Sequence, residues 1–313
     1  MRVPRHLATA LLLASLLGCV GVPEHHAFRD AGPAVEIEQV PFFPQEAWQC
    51  GPAALATVLQ HAGVKVTPEA LEPQMFIPER RGSLQAELIA ATRRQGRVPY
   101  RLPGALEPML EEVRAGRPVL VFQNLGFERY PVWHYAVLVG FDPEQDHFVL
   151  RSGTERRVET RGRAFLASWA RAGRWSMVVT SPAEPPASAD ALAWLQAVAP
   201  FESTGDLHSA ARGYEAAVAR WPETAATWTA LGNIRYREGR LRDAEAAYEQ
   251  ALARAPEHWT ARNNLIRTLI AQSCPTRARS WVEGAGIPPP ELADHWAETL
   301  HELAAVEEDG NCP

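Results

Sequence analysis

Gln45-Glu46-Ala47-Trp48-Gln49-Cys50-Gly51-Pro52-Ala53-Ala54-Leu55-Ala56-Thr57-Val58-Leu59 decides how the first half of this chain folds. Residues 53–62 are good helix formers with apolar side chains at helical spacing. Pro52 suits a first helical turn, where its missing N–H would have no partner anyway. The spacing predicts a helix that opens at Cys50. A thiol there meets the positive end of the helix dipole, which lowers its pKa, and a thiolate is the nucleophile that acyl transfer needs. The alternative is a buried, inert cysteine, the usual fate of a free thiol.

A nucleophile of this kind needs a base from elsewhere in the chain. Of ten histidines, His6 lies in the N-terminal signal-like segment and His25 and His26 in the polar stretch after it. His208, His258, His295 and His301 belong to the second half. His61 shares the Cys50 helix but sits about 16 Å along it at ~1.5 Å per residue. His134 and His147 remain. His134 opens His-Tyr-Ala-Val-Leu-Val-Gly-Phe-Asp, a strand-like run that follows a second one, Pro118-Val119-Leu120-Val121-Phe122. His147 stands beside a hairpin turn at Pro143-Glu144-Gln145-Asp146, and Asp142 reads as a cap of that turn.

Together, Gln45-x4-Cys50-Gly-Pro-Ala-Ala-Leu-Ala and the His134 strand resemble the bacteriocin-processing cysteine peptidases, a papain-like family, over roughly residues 38–180. The resemblance implies an α+β papain-like domain at 35–180, with Cys50 as nucleophile and His134 as base. Gln45, with the backbone N–H of Cys50, would stabilise the oxyanion. In transporter-fused members the glutamine usually stands six residues before the cysteine, which here is Pro44, so Gln45 is offset by one. The family's third residue, Asp or Asn after the next strand, falls on Ser152, which can accept a hydrogen bond from the imidazole without adding charge.

The second half repeats at a period of 34. Trp194, Gly205, Leu207, Ala210, Tyr214, Ala217 and Pro222 recur as Trp228, Gly239, Leu241, Ala244, Tyr248, Ala251 and Pro256. This resembles the tetratricopeptide repeat, a helix–turn–helix unit that stacks into a solenoid. Repeats are expected near 191–224, 225–258 and 259–290, then a capping helix, with the Pro-rich stretch 181–190 as linker. In the third copy Ser273 stands where the turn glycine should be. Such a stack offers a groove to a peptide or partner protein. Cys274 and Cys312 are expected to pair as a disulfide that pins the tail to the last repeat, since the compartment inferred below is oxidising.

Residues 1–18 read as a signal peptide: Arg2 and Arg5 precede an apolar run over 7–17, too short to span a bilayer. Leu16-Leu17-Gly18-Cys19 resembles the bacterial lipoprotein box, which implies lipid on Cys19. Val20 after it points to the periplasmic side of the outer membrane, with residues 19–34 as a solvated tether.

Composition narrows the rest. A net charge of −6 argues against a nucleic-acid partner. The single lysine, Lys65, lies between Val64 and Val66, so a P-loop is excluded. No Cys-x-x-Cys pair exists to suggest a metal, and no cofactor is expected. The sequence therefore predicts a lipid-anchored cysteine peptidase whose repeats recruit a peptide or protein. Other acyl-transfer chemistry on the same residues, or a binding module that has lost turnover, are the alternatives.

Overall fold

A computed structural model describes residues 23–44, 49–75, 83–306 and 312. Gln45 and Cys19, and with Cys19 the signal segment, lie outside the described residues. The chain divides into two compact units, Met1–Leu88 with Arg101–Val178, and Ile89–Tyr100 with Val179–Pro313.

The elements of the first half are α1 (Pro23–Arg29), β1 (Val35–Glu36), α2 (Cys50–His61), α3 (Pro68–Met75), α4 (Gln85–Arg94), β2 (Val98–Arg101), α5 (Leu106–Arg114), β3 (Val119–Asn124), β4 (Trp133–Asp142), β5 (His147–Ser152), β6 (Glu155–Arg161), α6 (Gly162–Arg171) and β7 (Ser176–Thr180). The strands form one sheet in the order β2-β7-β3-β4-β5-β6. β4 is its longest strand. It pairs antiparallel with β3 from Trp133 to Leu138, and with β1 at Gly140 and Phe141. Its inner residues Tyr135 to Val139 are buried, as are Val119 to Val121 on β3, which explains why both strands read as unbroken apolar runs. β6, at one end of the path, is charged and mostly exposed, which discourages pairing with another chain.

Of the expected tether, residues 23–34 are not simply solvated. α1 packs on the domain: Phe28 is fully buried and stacks on Phe148 with ring centroids 4.2 Å apart. His25 Nε2 lies 2.7 Å from Asp146 Oδ1, and Glu24 pairs with Arg174 at 2.8 Å. Gly162 makes the seat possible, because a Cβ there would come within 2.9 Å of the Phe28 ring. The burial of one aromatic ring overrides a polar, Pro- and Gly-containing local composition.

The second half is helical: α7 (Ala191–Ser203), α8 (Leu207–Arg220), α9 (Ala225–Arg237), α10 (Leu241–Arg254), α11 (Trp259–Ala271), α12 (Pro275–Val282), a single 3₁₀ turn at Pro290–Leu292 and α13 (Ala293–Ala304). The helices pair as repeats. Ala210 and Ala244 are fully buried between them. Gly213 and Gly232 bring the pairs closer still, since a Cβ would meet Val198 at 2.6 Å and Tyr248 at 2.5 Å. Gly205 and Gly239 end α7 and α9 at φ +84° and +74°. Ser273 takes the same left-handed conformation at φ +60°, without glycine's freedom. Cys274 and Cys312 are joined by a disulfide with Cα atoms 4.9 Å apart. Among the described residues no helix is long and apolar enough to cross a membrane.

Candidate active site

Cys50 begins α2, whose next nine residues are buried. Gly51 lets the helix start sit tight against its neighbours: a Cβ there would lie 2.8 Å from Ser83 Oγ and 3.7 Å from the Tyr135 ring. Tyr135 holds the same place from the sheet, its hydroxyl donating to the Ser83 carbonyl at 3.3 Å. The backbone N–H groups of Tyr135, Gly51 and Cys50 itself favour a thiolate at Cys50. Burial outweighs them and pushes the thiol up from its ordinary value. The helix start does not deliver the lowered pKa that the local sequence suggests, because desolvation is a property of tertiary packing.

His134 is the second residue of β4, opposite Gln123 on β3. Its Nε2 lies 2.8 Å from Ser152 Oγ, at the end of β5. Among the described residues its Nδ1 has no hydrogen-bond partner. Burial pulls the imidazole down from its ordinary pKa. Thiol and imidazole are therefore both neutral at rest. No hydrogen bond joins Cys50 to His134 among the described residues. The structure unites His134 with Ser152, and sets Cys50 against the residue next to His134.

His134 and Ser152 open into a cleft of about 300 Å3 that Gln123, Leu125, Ser168 and Arg171 also line. Gln123 is buried and donates through Nε2 to Ser168 Oγ at 2.7 Å. Sequence reasoning missed Gln123 and Ser168. The only local signal was a polar Gln-Asn pair closing an apolar strand. His147 is turned elsewhere, 3.8 Å from Glu159, and His61 faces the Gly116 carbonyl at 3.0 Å. Asp142 accepts from the Gln145 N–H at 2.9 Å, the turn cap expected of it. Among the described residues no cluster suited to a metal ion occurs.

The repeats carry a separate groove of about 340 Å3, lined by Glu202, Asn233, Tyr236, Arg237, Tyr248, Asn264 and Arg267. Asn233 Oδ1 accepts from the Tyr248 hydroxyl at 2.8 Å and from Asn264 Nδ2 at 2.9 Å, which fixes the floor of this groove.

Family models match parts of both halves. The Peptidase_C39 like family matches residues 37–177, and the tetratricopeptide repeat matches 201–241 and 229–291. A putative C39-like peptidase from Bacillus anthracis is similar over 48% of this chain and 98% of its own, at 20% identity and a TM-score of 0.41. The peptidase domain of Streptococcus ComA, a bifunctional ABC transporter involved in quorum sensing, is similar over 46% and 99%, at 17% identity and TM-score 0.37. On the helical side, the TPR2B domain of yeast Sti1 is similar over 36% and 95%, at 16% identity and TM-score 0.34. No curated protein matches. Sheet, helices and family matches converge: this chain carries a Peptidase_C39-like domain of α+β fold followed by a helical array of tetratricopeptide repeats.

Proposed function

We propose that the chain is a cysteine peptidase of the bacterial envelope, anchored by lipid on Cys19 and supplied with peptide or protein substrates by its repeats. The observation that carries the reading is the 2.8 Å contact between His134 Nε2 and Ser152 Oγ. It commits one ring nitrogen to an orienting partner and leaves Nδ1 to receive a proton. Cys50, beside the Tyr135 backbone, is the thiol that could supply it. The neutral pair acts as nucleophile and general base: Nδ1 takes the Cys50 proton as sulfur attacks the carbonyl carbon, then returns it to the leaving amine. The backbone N–H of Cys50, with Gln45, would hold the oxyanion. Water then hydrolyses the acyl-enzyme with His134 again as base. This chemistry requires the thiol and imidazole to close up when substrate enters.

A second reading is a non-catalytic peptidase-like binding protein working through its repeats. The raised Cys50 pKa and the lack of a Cys50–His134 hydrogen bond favour it. One experiment separates the two: labelling by a peptide carrying a thiol-reactive electrophile. Labelling that is lost in Cys50→Ala and strongly slowed in His134→Ala supports the peptidase. Labelling at the rate of a model thiol, indifferent to His134→Ala, supports the binding protein.

A further inference from the structure

Arg171, the last residue of α6, is a cation without an acid. Its Nη2 donates to the Asn124 carbonyl at 2.9 Å, and its Nε is buried with no hydrogen-bond partner. Among the described residues no carboxylate pairs with it. Several other arginines do find acids. Arg174, three residues on, meets Glu24, Arg157 meets Glu36 and Glu159, and Arg235 meets Glu215 and Glu238. The C-terminal end of α6 offsets part of the Arg171 charge, but a helix terminus carries only about half an elementary charge.

This guanidinium lines the His134 cleft, and none of the described side chains around that cleft is acidic. The polar groups beside it are uncharged and already engaged. Gln123 Nε2 donates to Ser168 Oγ, and the Ser168 hydroxyl donates in turn to the Phe165 carbonyl at 2.8 Å. The Ser152 hydroxyl is held by His134 Nε2. Leu125, Leu150 and Val158 supply apolar wall. One unpaired cation among neutral and apolar walls is matched by a ligand that brings one negative charge on a carbon frame. A guanidinium is planar and presents parallel N–H donors, the geometry that fits a carboxylate. Walls of low polarity make such a pairing stronger than it would be in water.

We propose that the His134 cleft takes a carboxylate of the peptide substrate and that Arg171 is the residue that selects it. That the ligand is a peptide rests on the peptidase reading above; the unpaired state of Arg171 does not. Two groups supply this chemistry: the side chain of Asp or Glu, and the α-carboxylate at a peptide's end. A Lys or Arg side chain would meet like charge and no acid, so the cleft rejects it. Arg171 carries specificity and moves no proton, since a guanidinium stays protonated at any working pH.

The test uses the full chain and three short peptides. Acetyl-Ala-Glu-Ala-amide has a side-chain carboxylate, acetyl-Ala-Gln-Ala has a free C-terminus, and acetyl-Ala-Gln-Ala-amide has neither. Binding is read from the imidazole NMR resonances of His134, identified by their loss in His134→Gln. At least one carboxylate peptide should shift them at a concentration roughly tenfold or more below that needed of the neutral peptide. The peptide that does so names the source of the carboxylate. Arg171→Gln should remove the difference. Because Arg171 also braces the Asn124 carbonyl, a second variant leaves it in place: Thr160→Glu adds an acid to the wall of the cleft and should remove the difference as well. Thermal midpoints verify that each variant folds. Equal responses of the wild-type chain to all three peptides, or a carboxylate preference that survives in either folded variant, overturns the proposal. The peptidase reading fails separately. Carboxylate peptides that shift His134 in an Arg171-dependent way, while no peptide electrophile labels Cys50, support the cleft and leave it as the binding site of a protein without turnover.

Discussion

At the residue scale, two neutral groups set the behaviour of the candidate site. Burial raises the Cys50 thiol and lowers the His134 imidazole, so neither carries charge near neutral pH. A small uncharged alkylating reagent should therefore modify Cys50 more slowly than a model thiol at pH 7, with the rate still climbing above pH 8.5, the ordinary thiol pKa. A midpoint below that of the model thiol would contradict this. The imidazole has a matching effect on stability. Its folded pKa lies below the unfolded one, so its contribution is intact above about pH 6.5 and is lost as pH falls through the folded value. Unfolding titrations of His134→Gln should show a shallower acid decline than wild type. Ser152→Asp places a carboxylate beside Nε2, which favours imidazolium. It should raise the imidazole pKa, read by NMR titration of His134, whereas Ser152→Ala should not.

At the element scale, the third repeat and α1 each hold a local conflict that packing resolves. Ser273 occupies a left-handed conformation where the two earlier repeats have glycine. An L-residue pays about 1–2 kcal/mol there, partly offset by glycine's larger unfolded-state entropy. Ser273→Gly should thus stabilise the chain by up to about 1 kcal/mol in denaturant titration. In α1, Phe28→Ala removes a fully buried ring and should cost about 3–5 kcal/mol if α1 unfolds together with the domain. A lower cost, with fast amide exchange confined to α1, would show that the helix opens on its own. The helical repeats and the Cys50 helix were legible because their signals are local: a period of 34, a proline in the first turn, apolar spacing. α1 was not, because its partner Phe148 and the Asp146 that binds His25 lie in the turn and strand around residue 147, more than a hundred residues away. The same distance hid Gln123 and Ser168, whose buried hydrogen bond has no sequence signature.

At the scale of the whole molecule, the fold class followed from two patterns, while the state of the site depended on how deeply the fold buries it. The position of Ser152 beside His134 was implied by the family resemblance, but a thiol raised by desolvation could not be anticipated, since burial is set by residues far apart in the chain. The repeat half has its own covalent closure. The Cys274–Cys312 bridge spans a sequence separation of 38. In the chain-entropy description a loop of that length contributes about 3–4 kcal/mol. Cys312→Ser should lower the stability of the repeat half by that order, and reduction of the wild-type chain should reproduce the loss.

The seat of α1 also has a mechanical meaning. A pull on the N-terminus of the chain would reach α1 before it reaches β1 and the sheet. The Glu24 ion pair, the His25 contact with Asp146 and then Phe28 would be loaded one after another, as in a zipper. Such geometry yields at low force. Residues 23–34, once released, would span up to about 40 Å when extended, against the much shorter docked helix, without disturbing Cys50 or His134. The docked helix would then serve as a reserve of slack: a tug at the N-terminus spends that length first, and the cleft around His134 keeps its shape.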